Sequence, residues 1–318
     1  MLPMLKQLLG SVAAAMLLAP GVLAQYPNPG PVSGSTRVHD PTVVKQGNTY
    51  FMAHTGANIA LKTSTDRTAW RDVGAAFPNG ASWTTPYTNG DTNLWAPDIS
   101  YHNGRFYMYY SASTFGSSKS AIFLATSTTA APGSWTNQGL IIETNDNSNY
   151  NAIDPNLIVD ASGKWWLSFG SFWSGIKMIE LNPSTGKRTG SSLTSLATRP
   201  SVAENPIEAP FITRRGSYYY LWVSFDRCCR GSSSTYRVMV GRSANVQGPY
   251  VDKNGVNMMN GGGTEVMASH GSINGPGHPA VFTDADADVL VYHYYNAANE
   301  ALLGINLIRY ENNWPVVY

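Results

Sequence analysis

Three acids in this 318-residue chain share one local pattern. Asp40 in HDP, Asp154 in IDP and Glu208 in IEAP each stand just before a proline and an apolar, strand-forming run. Trp95 in WAPD and His278 in GHP occupy the same place in two further stretches. Cleaving a glycosidic bond takes a proton donor for the leaving oxygen and a carboxylate acting on the sugar or on water. The donor must keep its proton near neutral pH, so burial or a like charge must raise its pKa. A third acid can supply that charge. Carboxylates grouped this way would also suit calcium, but the His and the many aromatic residues favour sugar chemistry. One acid at a strand end is ordinary; three acids and a His in five equivalent places are not.

The elements that position these residues form a repeat. The five stretches begin near His39, Trp95, Ile153, Glu208 and Gly277, and each runs proline, apolar strand, Gly or Asp turn, aromatic strand. Their prolines are Pro41, Pro97, Pro155, Pro210 and Pro279, spaced by 56, 58, 55 and 69 residues. HNG, ASG and RRG mark hairpin turns, and no stretch carries a long helical period. A unit of this size, all β and repeated five times, is a propeller blade. The expectation is one all-β domain, a five-bladed β-propeller over residues 25–318, with no internal linker. The innermost strand of each blade lines the central channel, and proline, lacking an N–H, fits the start of such a strand. The residues ahead of the five prolines should therefore crowd around one axis.

Composition agrees with a sugar partner. The net charge is +1, only 13% of residues are charged, and there are 18 Tyr, 9 Trp and 30 Gly. No basic face calls for nucleic acid. The first 24 residues, MLPMLKQLLGSVAAAMLLAPGVLA, read as a secretory signal peptide, with an apolar run (Leu8 to Leu18) short for a bilayer span. The mature chain is expected from Gln25, secreted, extracellular and free of the membrane. No N-glycosylation sequon occurs, and a monomer is expected. The two cysteines, Cys228 and Cys229, are adjacent. A vicinal disulfide is the favoured reading, with two thiols or pairing between chains as alternatives.

The motifs VHDPTVV, LWAPDIS, NAIDPNLIVD, GSFWSGI, IEAPFI, FDRCCRG and GPGHPAVF together resemble glycoside hydrolase family 43, and within it the secreted endo-1,5-α-L-arabinanases of fungi and bacteria. The resemblance covers nearly all of the mature chain. It implies an inverting hydrolase of arabinan. Asp40 would be the general base that activates water, Glu208 the general acid, and Asp154 the carboxylate that tunes and orients Glu208. Trp95 would stack on a sugar ring. Ser171, Phe172 and Trp173 match a substrate loop, and Asn151, Ala152 and Ile153 a substrate-binding segment. Phe115 and Gly116 would line the cleft wall. For Trp95 and Phe115 the plain alternative is ordinary packing. The resemblance also implies a calcium or similar cation in the central channel, held by His278 and mostly by water, with no organic cofactor. His39 and His270 receive no role.

Three other readings compete. Exo-acting α-L-arabinofuranosidases and β-xylosidases use the same propeller but often block the cleft with a β-sandwich, for which a chain ending at Tyr318 leaves no room. Retaining five-bladed enzymes carry an RDP-type motif, absent here. A non-catalytic sugar-binding propeller would not need three acids in equivalent places.

Overall fold

The computed structural model describes residues 26–318, so the segment read as a signal peptide lies outside the described residues. The chain folds as five antiparallel sheets in sequence order, one per repeat. The inner strands are Thr42–Gln46, Asn93–His102, Asn156–Val159, Ile207–Arg215 and Asn274–Thr283. Each turns back through a tight hairpin into the aromatic strand of its repeat, and two further strands complete the blade. The five-bladed propeller read from the repeat is the fold.

The blades are held by five apolar clusters, one between each pair of neighbours, the last joining blade 5 to blade 1. Successive residues of a strand point to opposite faces. In blade 2, Phe106, Met108 and Tyr110 pack towards blade 1 while Tyr107 and Tyr109 pack towards blade 3. In blade 4, Leu221 and Val223 face blade 3 while Tyr220 and Trp222 face blade 5. Both faces of these strands are buried. That is why YYYLWVSF is almost continuously apolar or aromatic rather than alternating.

Among the described residues no strand is exchanged between the first and last blades. Residues 30–38 instead run beside the third strand of blade 5. Gly30 N–H donates to Ile305 O at 2.8 Å, Leu303 N–H to Thr36 O at 2.9 Å and Val38 N–H to Ala301 O at 3.2 Å. Ser33–Gly34 also pairs in parallel with the outer strand of blade 1. This short segment stitches the ring shut.

The prolines correct one expectation. In blades 2, 4 and 5 they lie inside the inner strand, not at its start. The register slips by one residue at each: Trp95 faces Ser111 but Asp98 faces Tyr109, and Glu208 faces Ser224 but Phe211 faces Trp222. The same slip separates Gly277–His293 from Ala280–Val291. Each is a β-bulge, where a missing N–H costs no ladder bond. The residue before each proline is left-handed: φ is 51° at Asp40, 44° at Ala96, 58° at Asp154, 54° at Ala209 and 53° at His278. This conformation is uncommon for any non-glycine residue and runs against the extended bias before proline. Five recurrences make it a built feature of the channel mouth.

Candidate active site

Each of the five left-handed residues, or its neighbour, presents a backbone N–H that needs a partner. The preceding blade supplies it from the end of its second strand. Ala96 N–H donates to Thr55 Oγ1 at 2.8 Å, Asp154 N–H to Ser111 Oγ at 3.0 Å, and His278 N–H to Ser224 Oγ at 2.8 Å. Asp40 N–H closes the ring on His293 Nδ1 at 3.1 Å. In blade 3 the matching residue is Gly170, whose N–H bonds Ile153 O. Gly170 has φ 129°, and a Cβ there would lie 2.7 Å from Gly175 O, so no side chain fits. Asp154 fills the gap: its Oδ2 accepts the N–H of Ala209 at 3.1 Å, one residue beyond Glu208. The middle acid thus grips the strand that carries the third.

Asp40 and Glu208 are equally buried, at 8% and 7% exposure, but their neighbours differ in kind. Asp40 sits among imidazoles. His39 Nδ1 donates to its Oδ2 at 2.8 Å, and Thr55 Oγ1 donates to the same oxygen at 2.6 Å. His278 Nδ1 lies 3.1 Å from Oδ1. Burial works against the charged carboxylate, but His39 and His278 outweigh it and hold Asp40 well below the usual range. His39 moves the other way: burial disfavours its charge, and Asp40 more than restores it. His293 accepts from Asp40 N–H on Nδ1, and burial keeps it neutral.

Glu208 sits among hydroxyls. Tyr236 donates to its Oε1 and Ser171 to its Oε2. Burial raises Glu208 to about 7, with the Ser171 bond opposing and the Asp40 charge assisting. Burial also raises Asp154 well above its ordinary value, helped by the charges of Glu208 and Asp40. The Asp154–Glu208 pair therefore retains a proton near neutral pH. The Ala209 N–H favours the charged form of Asp154, as the Ser171 and Tyr236 hydroxyls favour the charged form of Glu208, so the proton is shared by the pair.

The remaining expected residues fall as follows. Trp95 is only partly buried and belongs to none of the apolar clusters, so core packing does not explain it. Phe115, in the loop with Gly116, is 80% exposed, which removes ordinary packing as its explanation. Phe172 and Trp173 follow Ser171 in left-handed conformations, φ 52° and 40°. Trp173 is 40% exposed, and the Phe172 ring lies 5.3 Å from the Arg227 guanidinium. Asn151, Ala152 and Ile153 are buried. Ala152 packs in the core between blades 2 and 3, while Asn151 Oδ1 is buried without a hydrogen-bond partner.

Cys228 and Cys229 form the vicinal disulfide. Cys229 N–H donates to Tyr295 Oη at 3.1 Å, and that hydroxyl lies 2.9 Å from His39 Nε2, so the disulfide loop backs the partner of Asp40. His39, Thr55, Ser111, Tyr236, His293 and Tyr295 were not singled out from the sequence. Only His39, adjacent to Asp40, had a local signal.

For a cation, the potential ligand atoms that converge here are those of His39, Asp40 and His293, with His278 Nδ1 3.1 Å from Asp40 Oδ1. Nitrogen-rich surroundings offer calcium few oxygens. With Nδ1 against Asp40, His278 keeps Nε2 as a single possible protein ligand, which fits an ion only if most of its shell is water.

Three buried acids of divergent protonation, gathered over the axis of a five-bladed propeller, define a glycosidase. The family model for glycosyl hydrolases family 43 matches residues 29–315. The extracellular endo-α-(1→5)-L-arabinanase 1 of Bacillus subtilis is 43% identical over 285 residues, covering 87% of each chain. The solved GH43 endo-arabinanase from Bacillus licheniformis superposes with a TM-score of 0.84 at 43% identity, covering 90% of this chain and 99% of that one. An exo-1,5-α-L-arabinanase from a bovine ruminal metagenomic library superposes with a TM-score of 0.85 at 37% identity, covering 90% and 98%. The chain belongs to glycosyl hydrolases family 43.

Proposed function

We propose that this glycosidase is a secreted endo-1,5-α-L-arabinanase that cleaves internal bonds of linear arabinan with inversion. The observation that carries the reading is the divergence of two equally buried acids. Asp40 is held ionised by imidazoles, and Glu208 is held near neutrality by burial. Environments that push two titratable groups apart assign base and acid. In the reaction Asp40 takes a proton from a water as its oxygen attacks the anomeric carbon. Glu208 gives its proton to the departing glycosidic oxygen. Asp154 tunes Glu208 as its electrostatically coupled neighbour and holds that strand through Ala209. Trp95, Phe115 and Trp173 offer apolar faces to sugar rings. Among the described residues no helix is long and apolar enough to cross a membrane. The signal peptide, monomeric state and extracellular location belong to the same reading.

Linear debranched arabinan, assayed beside xylan and small synthetic glycosides, tests it. A ladder of oligosaccharides should appear first from arabinan, with the β-anomer leading in proton NMR. Arabinose alone would establish exo action, the mode of one structural relative, and initial α-anomer would overturn inversion. A hydrated calcium on His278 is part of the proposal; it would add positive charge beside Asp40 and favour its ionised form. Chelation should then lower the melting temperature in the wild type and leave His278→Ala unaffected. A metal-free active protein would remove the ion.

A further inference from the structure

Among the described residues, four cap the left-handed residue of the next blade with a side chain from the end of the second strand: Thr55, Ser111, Ser224 and His293. A hydroxyl that accepts an N–H still has its own hydrogen to give. Among the described residues, Ser111 and Ser224 place theirs on no carboxylate, whereas Thr55 places its hydrogen on Asp40 Oδ2 at 2.6 Å. Thr55 is itself pinned, since its backbone N–H donates to His39 O at 2.9 Å.

The bond matters because of what else Asp40 accepts. A carboxylate oxygen has two in-plane lone-pair sites. Oδ2 receives both His39 Nδ1, at 2.8 Å, and Thr55 Oγ1, at 2.6 Å, so it is filled. Oδ1 faces His278 Nδ1 at 3.1 Å. His293 Nδ1, at 3.4 Å, already uses its lone pair on Asp40 N–H and donates nothing there. One site on Oδ1 is thus left for a water proton.

We propose that Thr55 is a positioning residue for the base: by filling Asp40 Oδ2 together with His39, it fixes the plane of the carboxylate and makes Oδ1 the oxygen that takes the proton of the attacking water. This rests on Asp40 being the base. Thr55 also holds the backbone beside Trp95, through Ala96, so its two bonds tie the base to the candidate sugar platform in the next blade.

The test compares Thr55→Val, which keeps the shape and loses the hydroxyl, with Thr55→Ser, which keeps the hydroxyl. The readouts are kcat on linear arabinan, the Kd of a short arabino-oligosaccharide and the melting temperature. Misplacing a reacting group costs roughly 10- to 100-fold. Thr55→Val should lose kcat on that scale while Kd changes by less than about threefold, and Thr55→Ser should return kcat to near wild type. If Thr55→Val does not accumulate as folded protein, Thr55→Ala gives the same comparison. A loss of kcat matched by an equal weakening of Kd would place Thr55 only beneath Trp95 and overturn the proposal, as would Thr55→Ser failing as badly as Thr55→Val. Asp40→Ala separates the premise from the inference. If that variant keeps its turnover, the base assignment falls; if it is inactive while Thr55→Val is unimpaired, the base stands and the role of Thr55 falls.

Discussion

Asp40 and Glu208 are buried to the same degree on the same propeller mouth, one ahead of the inner strand of blade 1 and the other on that of blade 4. One is held charged and the other is held near the point of keeping its proton. Burial therefore does not distinguish them; the chemistry of their neighbours does. Imidazoles can carry positive charge and stabilise a carboxylate by Coulomb attraction as well as by hydrogen bonds. Hydroxyls can donate to a carboxylate or accept from a carboxylic acid, so they tolerate either state.

The largest effect should come from breaking either side of this contrast. Asp40→Ala and Glu208→Ala should each lose about 10²–10⁴-fold in kcat. An aryl arabinofuranoside with a good leaving group needs little proton donation, so it should recover much of the activity of Glu208→Ala and none of that of Asp40→Ala. Equal recovery in both would erase the distinction. A subtler pair of changes should move the alkaline limb of the kcat/KM profile in opposite directions. Asp154→Asn removes a negative neighbour, so Glu208 loses its proton more readily and the limb moves to lower pH, with a fall of roughly 10- to 100-fold at the optimum. Tyr236→Phe removes a donor that favours charged Glu208, so the limb moves to higher pH with only a few-fold change at the optimum. Shifts in the same direction would show that the two residues do not act on Glu208 as described.

The smallest effect is on stability. Glu208 is raised in the folded state, so its contribution is fully present below the unfolded-state value of about 4.3 and is lost as pH climbs through about 7. Glu208→Gln carries no such titration. Above neutral pH it should melt higher than the wild type by roughly 2–5 °C, with the gap closing towards pH 4. A gap independent of pH would mean that burial does not raise this acid.

Much of this arrangement was legible in the chain. Five prolines at near-equal spacing, each ahead of an apolar run, gave the blades, and the residues before them gave the three acids and His278. The aromatic strands read correctly because both of their faces are buried, leaving little polar alternation to confuse. The partners of the acids were hidden by distance and by type. His293 lies 253 residues from Asp40, and Tyr236 28 residues from Glu208. A Thr, Ser or Tyr near a strand end looks like any other strand residue. The bulges were hidden for a different reason: the residue before a proline is biased to extended backbone, so no local rule announces a left-handed one. Gly277 carried a faint signal. A Cβ there would lie 2.1 Å from Tyr236 Cδ2, so the glycine of GHP exists to admit the ring that reaches Glu208.

The seam made by residues 30–38 has a consequence for how the molecule is made. Its bonds to Ala301, Leu303 and Ile305 join nearly opposite ends of the chain. Its pairing with blade 1 can form early, but its bonds to blade 5 must wait until the fifth blade has been synthesised. Loop closure of that length is entropically slow. Until it happens, the outer apolar faces of blades 1 and 5 stand open, and His293 cannot cap Asp40. The surroundings of the proposed base, Asp40, are therefore completed at the moment the circle closes, and a chain cut short within its last blade is expected to lose its shape and its chemistry together.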